Sequence, residues 1–189
     1  MGKVIVFTYK IISTLGPAGT DSERAAHHYT NRLRTNPWTK HEVVLFSSFE
    51  EVLRSVSIEK AHCGIVPAAY NDLFQLHVQA LNDGLYIRDV FILPTKEMVL
   101  AKGKYCNGKI KSIALHPSTE SLVPFGIEKV YVRSKPLGIE KVVNGEVDAA
   151  LASRDVAEKH NLEIVESYGE IPMTWEVFAL DWLRRNGYK

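Results

Sequence analysis

The feature that most constrains the fold is a regular alternation between short apolar runs and segments with helical spacing. The runs at 43–46 and 63–67 are typical of buried strands. Between them, at 49–56, apolar residues recur at i, i+3, i+4 and i+7, which indicates a helix. Strands that alternate with helices of this length predict βαβ units around a parallel sheet. The pattern occupies both halves of the chain, so we predict an α/β fold.

The two halves are joined without a low-complexity linker, which predicts two similar lobes that face each other across a central cleft. We place the first crossing between lobes near 80–86 and the return near 168–174. Lobe 1 then comprises about 1–82 plus 170–189, and lobe 2 about 83–169. Together they form a single domain over 1–189.

Charge and composition exclude several kinds of partner. The chain has 23 basic and 22 acidic residues, so it exerts no long-range attraction on nucleic acid or an anionic membrane. No apolar run approaches the ~20 residues of a membrane span, and the apolar N-terminal stretch is too short for a signal peptide. Two cysteines without a disulfide pattern are typical of reduced thiols. We therefore expect a cytoplasmic protein that holds any anionic ligand through local donors.

Three strand-to-helix junctions, at 16–22, 116–119 and 152–154, carry small polar residues. The backbone N–H groups and the helix dipole at such a junction favour an anion. At the first, Gly19 permits close backbone approach, and Thr20 and Ser22 add hydroxyls. The alternative is that Thr20, with Glu23 three residues later, only caps a helix; Ser48 and Glu51 repeat that pattern.

At the second junction, the pKa of His116 near neutrality suits proton transfer if the ring faces a cleft. The alternative is a packed turn residue. At the third, Ser153 is a candidate N-cap and Arg154 a candidate solvated charge.

Two further segments combine polar and aromatic residues at strand ends. Tyr70 follows the apolar run 63–67, and its hydroxyl is a candidate ligand contact; the alternative is a tyrosine packed at an interface. Thr174 and Trp175 begin the last predicted strand, where the aromatic ring is a candidate core residue as well. The histidines are scattered, and no phosphate-binding loop or dinucleotide fingerprint occurs, so we expect neither a metal nor a cofactor.

Five motifs in order resemble the prephenate dehydratase catalytic domain. The sequence Leu-Gly-Pro-Ala-Gly-Thr at 15–20 is similar to the opening motif of that family, and Gly-Ile-Val-Pro at 64–67 to the strand before its Glu-Asn-Ser motif. His116-Pro117 matches the centre of Ser-His-Pro, 148–153 resembles the Ala-Ala-Ile-Ala-Ser stretch, and Thr174 matches the Thr of Asn-x-Thr-Arg-Phe. The resemblance covers about 11–180 and implies a two-lobed fold of the type II periplasmic-binding-protein kind. It also implies that 1–189 is a single catalytic domain without the C-terminal regulatory domain that often follows in the family.

Two departures from that family resemble its decarboxylase branch, which acts on prephenate in bacilysin-type antibiotic biosynthesis. Ala-Tyr-Asn at 69–71 replaces Glu-Asn-Ser, and Trp175 replaces the Arg of Thr-Arg-Phe. That branch carries Val-Pro-x-Ala-Tyr and Ile-Pro-Met-Ser-Trp, close to the sequences at 66–70 and 171–175. The resemblance implies decarboxylation of prephenate without aromatisation, with no cofactor, in a cytoplasmic homodimer.

Under this resemblance, each candidate residue takes an expected role. Tyr70 and His116 handle a proton or anchor the ring hydroxyl, and Thr174 orients the substrate. Substrate carboxylates bind main-chain and hydroxyl donors, and Trp175 supplies an apolar wall; the donors are Gly19, Thr20, Ser22, Ser118 and Thr119. The first alternative is a prephenate or arogenate dehydratase. The alternative from another class is a non-catalytic domain that binds a small molecule.

Overall fold

The computed structural model describes residues 8–33 and 39–180. The chain divides into two compact units, each described by itself. Unit 1 comprises Met1–Leu93 and Met173–Lys189, and unit 2 comprises Pro94–Pro172. The predicted boundary near residue 82 is therefore about ten residues too early, because the strand that follows it pairs with the last strand of unit 1.

Unit 1 contains a five-stranded mixed sheet in the order β2-β1-β3-β10-β4, with helices on both faces. Strands β1, β2 and β3 are parallel, whereas β10 is antiparallel to both β3 and β4. The elements are β1 (Thr8–Leu15), α1 (Asp21–Arg32), β2 (Thr39–Phe46), α2 (Phe49–Ser57), β3 (Cys63–Pro67), α3 (Leu73–Asn82), β4 (Leu85–Ile92) and β10 (Thr174–Leu180).

Both predicted N-caps are confirmed at the first two helices, whereas the carboxylates of Glu23 and Glu51 accept from the N–H groups of Gly19 and Ser47, one residue before each cap. The Thr20 hydroxyl accepts a hydrogen bond from the Glu23 N–H at the start of α1, and Ser48 does the same for Glu51 at α2. Each cap satisfies a first-turn donor that has no intrahelical acceptor. The helix α3 was not predicted, because its apolar residues lie on both of its faces and blur the amphipathic pattern.

Two apolar cores hold unit 1 together, one on each face of its sheet. On the α1 face, Trp175 and Val177 of β10 pack with Tyr29 and Phe91. The opposite core joins α2, α3 and Phe178 of β10. Burial on both faces explains why β3 is a continuous apolar run rather than an alternating one.

Unit 2 repeats the architecture with the order β7-β6-β8-β5-β9. Strands β6, β7 and β8 are parallel, and β5 is antiparallel to β8 and β9. Its elements are β5 (Met98–Lys102), β6 (Ser112–Leu115), a 3-10 helix (Pro117–Leu122), β7 (Glu128–Tyr131), α4 (Lys135–Val143), β8 (Ala149–Ser153), α5 (Arg154–Lys159) and β9 (Glu163–Gly169). The sheets are thus mixed rather than purely parallel, since the chain crosses between units and returns.

No helix in the described part of the chain has the length and apolar character needed to cross a membrane.

Candidate active site

The predicted site residues of unit 1 come from one edge of its sheet. Leu15 pairs with Phe46 at the ends of β1 and β2, and Pro67, at the end of β3, pairs with Trp175. The carboxyl ends of the parallel strands and the amino end of β10 therefore meet at this edge. The predicted residues that lie at or just beyond it are Gly19, Thr20, Ser22, Tyr70, Thr174 and Trp175. Edges of this kind are common ligand sites in α/β sheets.

The anion site predicted at Gly19 and Thr20 already binds a carboxylate of the protein itself. The Gly19 N–H donates to a carboxylate oxygen of Glu23 at 2.6 Å. The Thr20 hydroxyl donates to the Pro17 carbonyl at 3.0 Å and caps the Glu23 N–H. Hence Glu23 already places a negative charge where a substrate carboxylate was expected, and Thr20 is in the first place a helix cap. Ser22 is the second residue of α1, where backbone N–H groups lack an intrahelical acceptor.

Tyr70 is held over the amino end of α2. Its ring packs edge-on against Phe49, with ring centroids 4.8 Å apart, and its hydroxyl donates to a carboxylate oxygen of Glu50 at 3.4 Å. Burial raises the pKa of Tyr70 above its ordinary value, and the negative charges of Glu50 and Asp72 raise it further. Tyr70 is therefore a protonated donor at neutral pH, not a base.

Thr174 and Trp175 point to opposite faces of the sheet because they are consecutive in a strand. Thr174 is partly exposed, and its carbonyl accepts a hydrogen bond from the Ala68 N–H at 2.8 Å. This bond ties the start of β10 to the segment that leads to Tyr70.

Trp175 is not an exposed wall. Its side chain is 1% exposed, packs in the core beside α1, and donates from the indole N–H to the Leu93 carbonyl at 3.0 Å. The prediction that Trp175 contacts substrate is therefore wrong, and the alternative of a core residue is the one observed. Its position one residue into β10 turns its side chain inward.

His116 directly follows β6 in unit 2 and caps the 3-10 helix. The Ser118 N–H donates to Nδ1 of His116 at 3.2 Å, and the Ser118 hydroxyl lies 2.8 Å from the same nitrogen. Since Nδ1 accepts, the neutral ring carries its proton on Nε2. Burial lowers the pKa of His116, and the nearby Lys135 lowers it further. His116 is therefore mainly neutral at pH 7.

The two donors predicted beside His116 are also used internally. The Ser118 N–H donates to the His116 ring, and the Thr119 N–H and hydroxyl both donate to the His116 carbonyl, at 2.9 and 2.8 Å. The Ser118 contacts orient the imidazole, and the Thr119 bonds fix the His116 backbone. Ser118 and Thr119 were expected to bind a substrate carboxylate, but in the structure their donors position His116.

An ion-pair cluster that sequence reasoning missed lies at the carboxyl edge of the unit 2 sheet. Arg154 forms two bonds to Glu97, Nε to Oε2 at 2.7 Å and Nη2 to Oε1 at 2.9 Å, and Ser167 also donates to Glu97. Arg154 is therefore a paired charge that remains partly exposed. No sequence signal points to this cluster, since Glu97, Arg154 and Ser167 belong to three strand ends joined only by the pairing of β5 with β8 and β9.

A second missed pair lies in unit 1. Nε2 of His77 on α3 is 2.6 Å from a carboxylate oxygen of Glu176 on β10. Glu176 is two residues from Thr174 and shares its face of the strand. The sheet thus carries an acid–imidazole pair next to the partly exposed Thr174.

A pocket of about 630 Å³ in unit 2 lies away from every predicted residue. It is lined by Lys102 at the end of β5, Ile127 before β7 and Glu163 at the start of β9, so it opens at the opposite edge of the sheet from His116. Residues 8–33 and 39–180 contain no group of three or more side chains suited to hold a metal ion. Cys63 is buried, and burial raises the pKa of its thiol to about 12.

The fold and these motifs define a two-lobed α/β protein whose polar residues cluster at the carboxyl edges of mixed sheets. The family model described as prephenate dehydratase matches residues 12–170. The chain belongs to the prephenate dehydratase family.

Two curated relatives match over nearly their whole length. A prephenate decarboxylase of Planktothrix agardhii is 26% identical over 183 residues, covering 89% of this chain and 87% of the relative. A prephenate decarboxylase of Bacillus subtilis is 26% identical over 177 residues, covering 89% of this chain and 85% of the relative.

Solved structures support the fold. A prephenate dehydratase of Arthrobacter aurescens, solved in complex with L-Phe, superposes with a TM-score of 0.65 at 16% identity, over 90% of this chain. This chain spans 60% of the length of that protein. The periplasmic aliphatic sulphonate binding protein SsuA of Escherichia coli gives a TM-score of 0.52 at 14% identity, over 94% of this chain and 63% of SsuA. The predicted class, dehydratase-like and similar to type II periplasmic binding proteins, is confirmed.

Proposed function

We propose that the chain is a prephenate decarboxylase, a carbon–carbon lyase that releases CO2 without making the ring aromatic. One observation carries the proposal: both altered family motifs, Ala-Tyr-Asn at 69–71 and Thr174-Trp175, lie at one sheet edge. The Ala68 N–H and the Thr174 carbonyl join them directly. The relatives named prephenate decarboxylase support the same activity.

The two possible reactions of prephenate differ in the fate of the ring hydroxyl. In both, the bond from the ring to its carboxylate breaks and the electron pair moves into the ring diene as CO2 leaves. In the dehydratase reaction, that pair expels the hydroxyl as water, which requires an acid at the hydroxyl. In the decarboxylase reaction, a ring carbon takes up one proton and the hydroxyl stays. The proposed chemistry therefore needs an oriented substrate and one proton, and no cofactor.

Trp175 supports the decarboxylase reaction because it stands where the dehydratase motif has a cationic residue. The dehydratase motif places Arg at this position, and a guanidinium is a strong donor to a leaving oxygen. Here the position carries a buried indole whose N–H is bonded to the backbone. The edge thus lacks the cation of the family motif, which disfavours departure of the hydroxyl.

Tyr70 is the proposed donor to the substrate in unit 1. Its raised pKa keeps the hydroxyl protonated at neutral pH, and Glu50 orients it from α2. The hydrogen bond to Glu50 is long, at 3.4 Å, so the protonated phenol can exchange it for a hydrogen bond to the ring hydroxyl without losing a proton. Thr174, partly exposed on the neighbouring strand, is the proposed orienting hydroxyl.

His116 is the second proposed proton-handling residue. The hydrogen bond from the Ser118 N–H leaves the proton of the neutral ring on Nε2, which is the nitrogen available for donation. Among the expected carboxylate donors, we retain the Ser22 N–H and hydroxyl. Gly19, Thr20, Ser118 and Thr119 act in this proposal as positioning residues, since their N–H or hydroxyl groups bond internally.

Product identification tests the reaction. Purified protein is incubated with prephenate, and the product is identified by proton NMR while CO2 release is measured. A hydroxycyclohexadienyl keto acid formed with CO2 is the expected result. Phenylpyruvate would establish the dehydratase alternative, for which family membership is the supporting observation. Binding of prephenate without CO2 release would establish a non-catalytic binding domain.

Two conservative substitutions test the site. Tyr70→Phe and Thr174→Val each remove a hydroxyl with little change in shape, and loss of a well-placed polar group costs about 2–4 kcal/mol of barrier, roughly 30- to 1,000-fold in kcat/KM. Tyr86→Phe, at an exposed tyrosine of β4, is the matched control and should keep full activity. If both variants retain near-wild-type turnover, the site assignment is wrong.

We further propose a cytoplasmic location, a role in bacilysin-type antibiotic biosynthesis and a homodimeric state. The balanced charge supports the location, and the similarity to relatives named prephenate decarboxylase supports the other two proposals.

A further inference from the structure

One face of the unit 2 sheet has a short cover. The opposite face packs against two helices, α4 and α5. This face packs instead against the end of the 3-10 helix and the irregular chain that follows it, through Leu122, Val123 and Ile127. The six residues of that 3-10 helix extend about 12 Å, whereas the 12 residues of α1, which join the corresponding strands of unit 1, extend about 18 Å. The short helix leaves part of the face open.

The pocket of about 630 Å³ lies on this face, at the amino edge of the parallel strands. Lys102 shares its face of β5 with Leu100, which belongs to the core under the 3-10 helix. Lys102 pairs in register with Glu163 on β9, so both side chains leave the sheet on the same side. Ile110 and Ile127 pack against the same core and also line the pocket. The pocket is thus lined by residues at or next to four strand ends.

The size and the apolar walls of the pocket suit a small organic molecule. Five of its ten lining residues have apolar side chains, among them Ile110, Ile127 and the fully exposed Phe125. Sites for small molecules have volumes of about 300–1,000 Å³ and combine apolar walls with a few polar groups. The exposed ring of Phe125 offers a surface on which an aromatic ring can pack. We therefore expect a ligand with an aromatic body.

Three ionic side chains determine the charge of that ligand. The Lys102 ammonium lies 3.1 Å from a carboxylate oxygen of Glu163, and these two charges cancel. Lys109 also lines the pocket, and its ammonium takes part in no ion pair with the side chains of residues 8–33 and 39–180. Two ammonium groups and one carboxylate leave one positive charge, which a single ligand carboxylate balances. A second negative charge on the ligand would have no cation left to balance it.

We propose that this pocket binds an aromatic monocarboxylate, with the carboxylate at Lys109 and the ring against Ile110, Ile127 and Phe125. The site is separate from the candidate active site, because it opens at the opposite edge of the unit 2 sheet from His116. The proposal does not depend on the reaction that the enzyme catalyses.

Calorimetric titration of the full chain with 2-naphthoate tests the ligand class. A buried ligand of this size reaches a Kd of about 1 mM or below. The neutral 2-naphthamide has the same rings and should bind at least about fivefold more weakly, because a charged acceptor forms the stronger hydrogen bond to an ammonium. Equal affinity for the acid and the amide, or no binding of the acid at millimolar concentration, would overturn the proposal.

Two pairs of variants test the lining residues. Lys109→Gln should weaken binding of 2-naphthoate roughly 5- to 10-fold, whereas Lys104→Gln, at an exposed lysine outside the pocket, is the control for the same loss of charge. Phe125→Ala should weaken binding roughly 3- to 10-fold, and Tyr105→Ala, at an exposed aromatic outside the pocket, should not. Circular dichroism verifies that all four variants are folded. If each variant binds as its control does, the assignment of the pocket is wrong.

Chemical-shift changes in the ¹⁵N-labelled protein locate the bound acid. The amides of Gly108, Gly126 and Ile127 should shift most on addition of 2-naphthoate, because these residues line the pocket. Shifts confined to Tyr70, His116 and their neighbours would place the acid in the candidate active site and would contradict the proposal. This readout requires no turnover, so it is independent of the test of the reaction.

Discussion

Replacing Trp175 by Phe should destabilise the protein without weakening substrate binding. The change removes the hydrogen bond from the indole N–H to the Leu93 carbonyl, worth about 1 kcal/mol. It also leaves a cavity of roughly 40 Å³, which costs about 1 kcal/mol, with a similar loss of apolar burial. The side chain is 1% exposed, so solvent cannot compensate. The expected total is about 3 kcal/mol.

Thermal and urea unfolding measure this loss, and steady-state kinetics with prephenate measure binding. For a chain of this size, about 3 kcal/mol corresponds to a fall in Tm of roughly 6–12 °C. The urea midpoint should fall with little change in m-value. Phe125→Leu is the control, because Phe125 is fully exposed and its truncation should change stability by less than about 0.5 kcal/mol.

The opposite pattern would refute the assignment of Trp175 to the core. If Trp175→Phe unfolds at the wild-type temperature but raises KM several-fold, the indole contacts substrate. The KM is decisive here because a buried core residue changes the folded population before it changes the affinity of the folded enzyme.

Three further outcomes follow from individual groups. Burial lowers the pKa of His116 below its ordinary 6.5, so the unfolded state binds more protons than the folded state around that pH. The free energy of unfolding should therefore fall as the pH drops below 6.5. Replacing His116 by Asn should flatten this decline in urea titrations at pH 5–8, and an unchanged slope would contradict the burial of the ring. Because the pKa of the Cys63 thiol is raised to about 12, Cys63 should resist a thiol reagent at pH 8 that labels Cys106, and two labelled thiols in the native protein would contradict this. Gly64→Ala should destabilise the protein by about 1–3 kcal/mol in urea unfolding, because the added Cβ would lie 2.7 Å from Cγ1 of Val52 on α2. Wild-type stability would show that α2 can shift away from the new methyl group without loss of free energy.

Much of the secondary structure was predictable because it depends on local pattern. The strand at 63–67 matches its predicted range, and the last strand begins at Thr174 as predicted, since each is a short apolar or aromatic run with a clear start. Helix α3 was not predictable from amphipathic spacing, because its outer face carries apolar residues as well as its inner face. The lobe boundary was misplaced because only strand pairing assigns β4 to unit 1.

The candidate site was predictable only as a set of positions. Tyr70, Thr174 and the first turn of α1 do lie at one sheet edge, which follows from strand order and from the family motifs. Glu23, which fills the expected anion site, was recognised as half of a capping box, but its contact with Gly19 depends on the turn before the helix. Glu50 beside Tyr70 had no signal, because it lies 20 residues away in sequence.

The sequence by itself determined the α/β class, the starts of the first two helices and the family, because apolar periodicity, capping residues and ordered motifs are local properties of a chain. The tertiary structure alone decided that Trp175 faces the core, that Arg154 is bound to Glu97, and that the His116 ring is oriented by Ser118. Each of these depends on which strands become neighbours or how a turn closes. Those long-range contacts are selected by the free energy of the whole fold and not by the residues that take part in them.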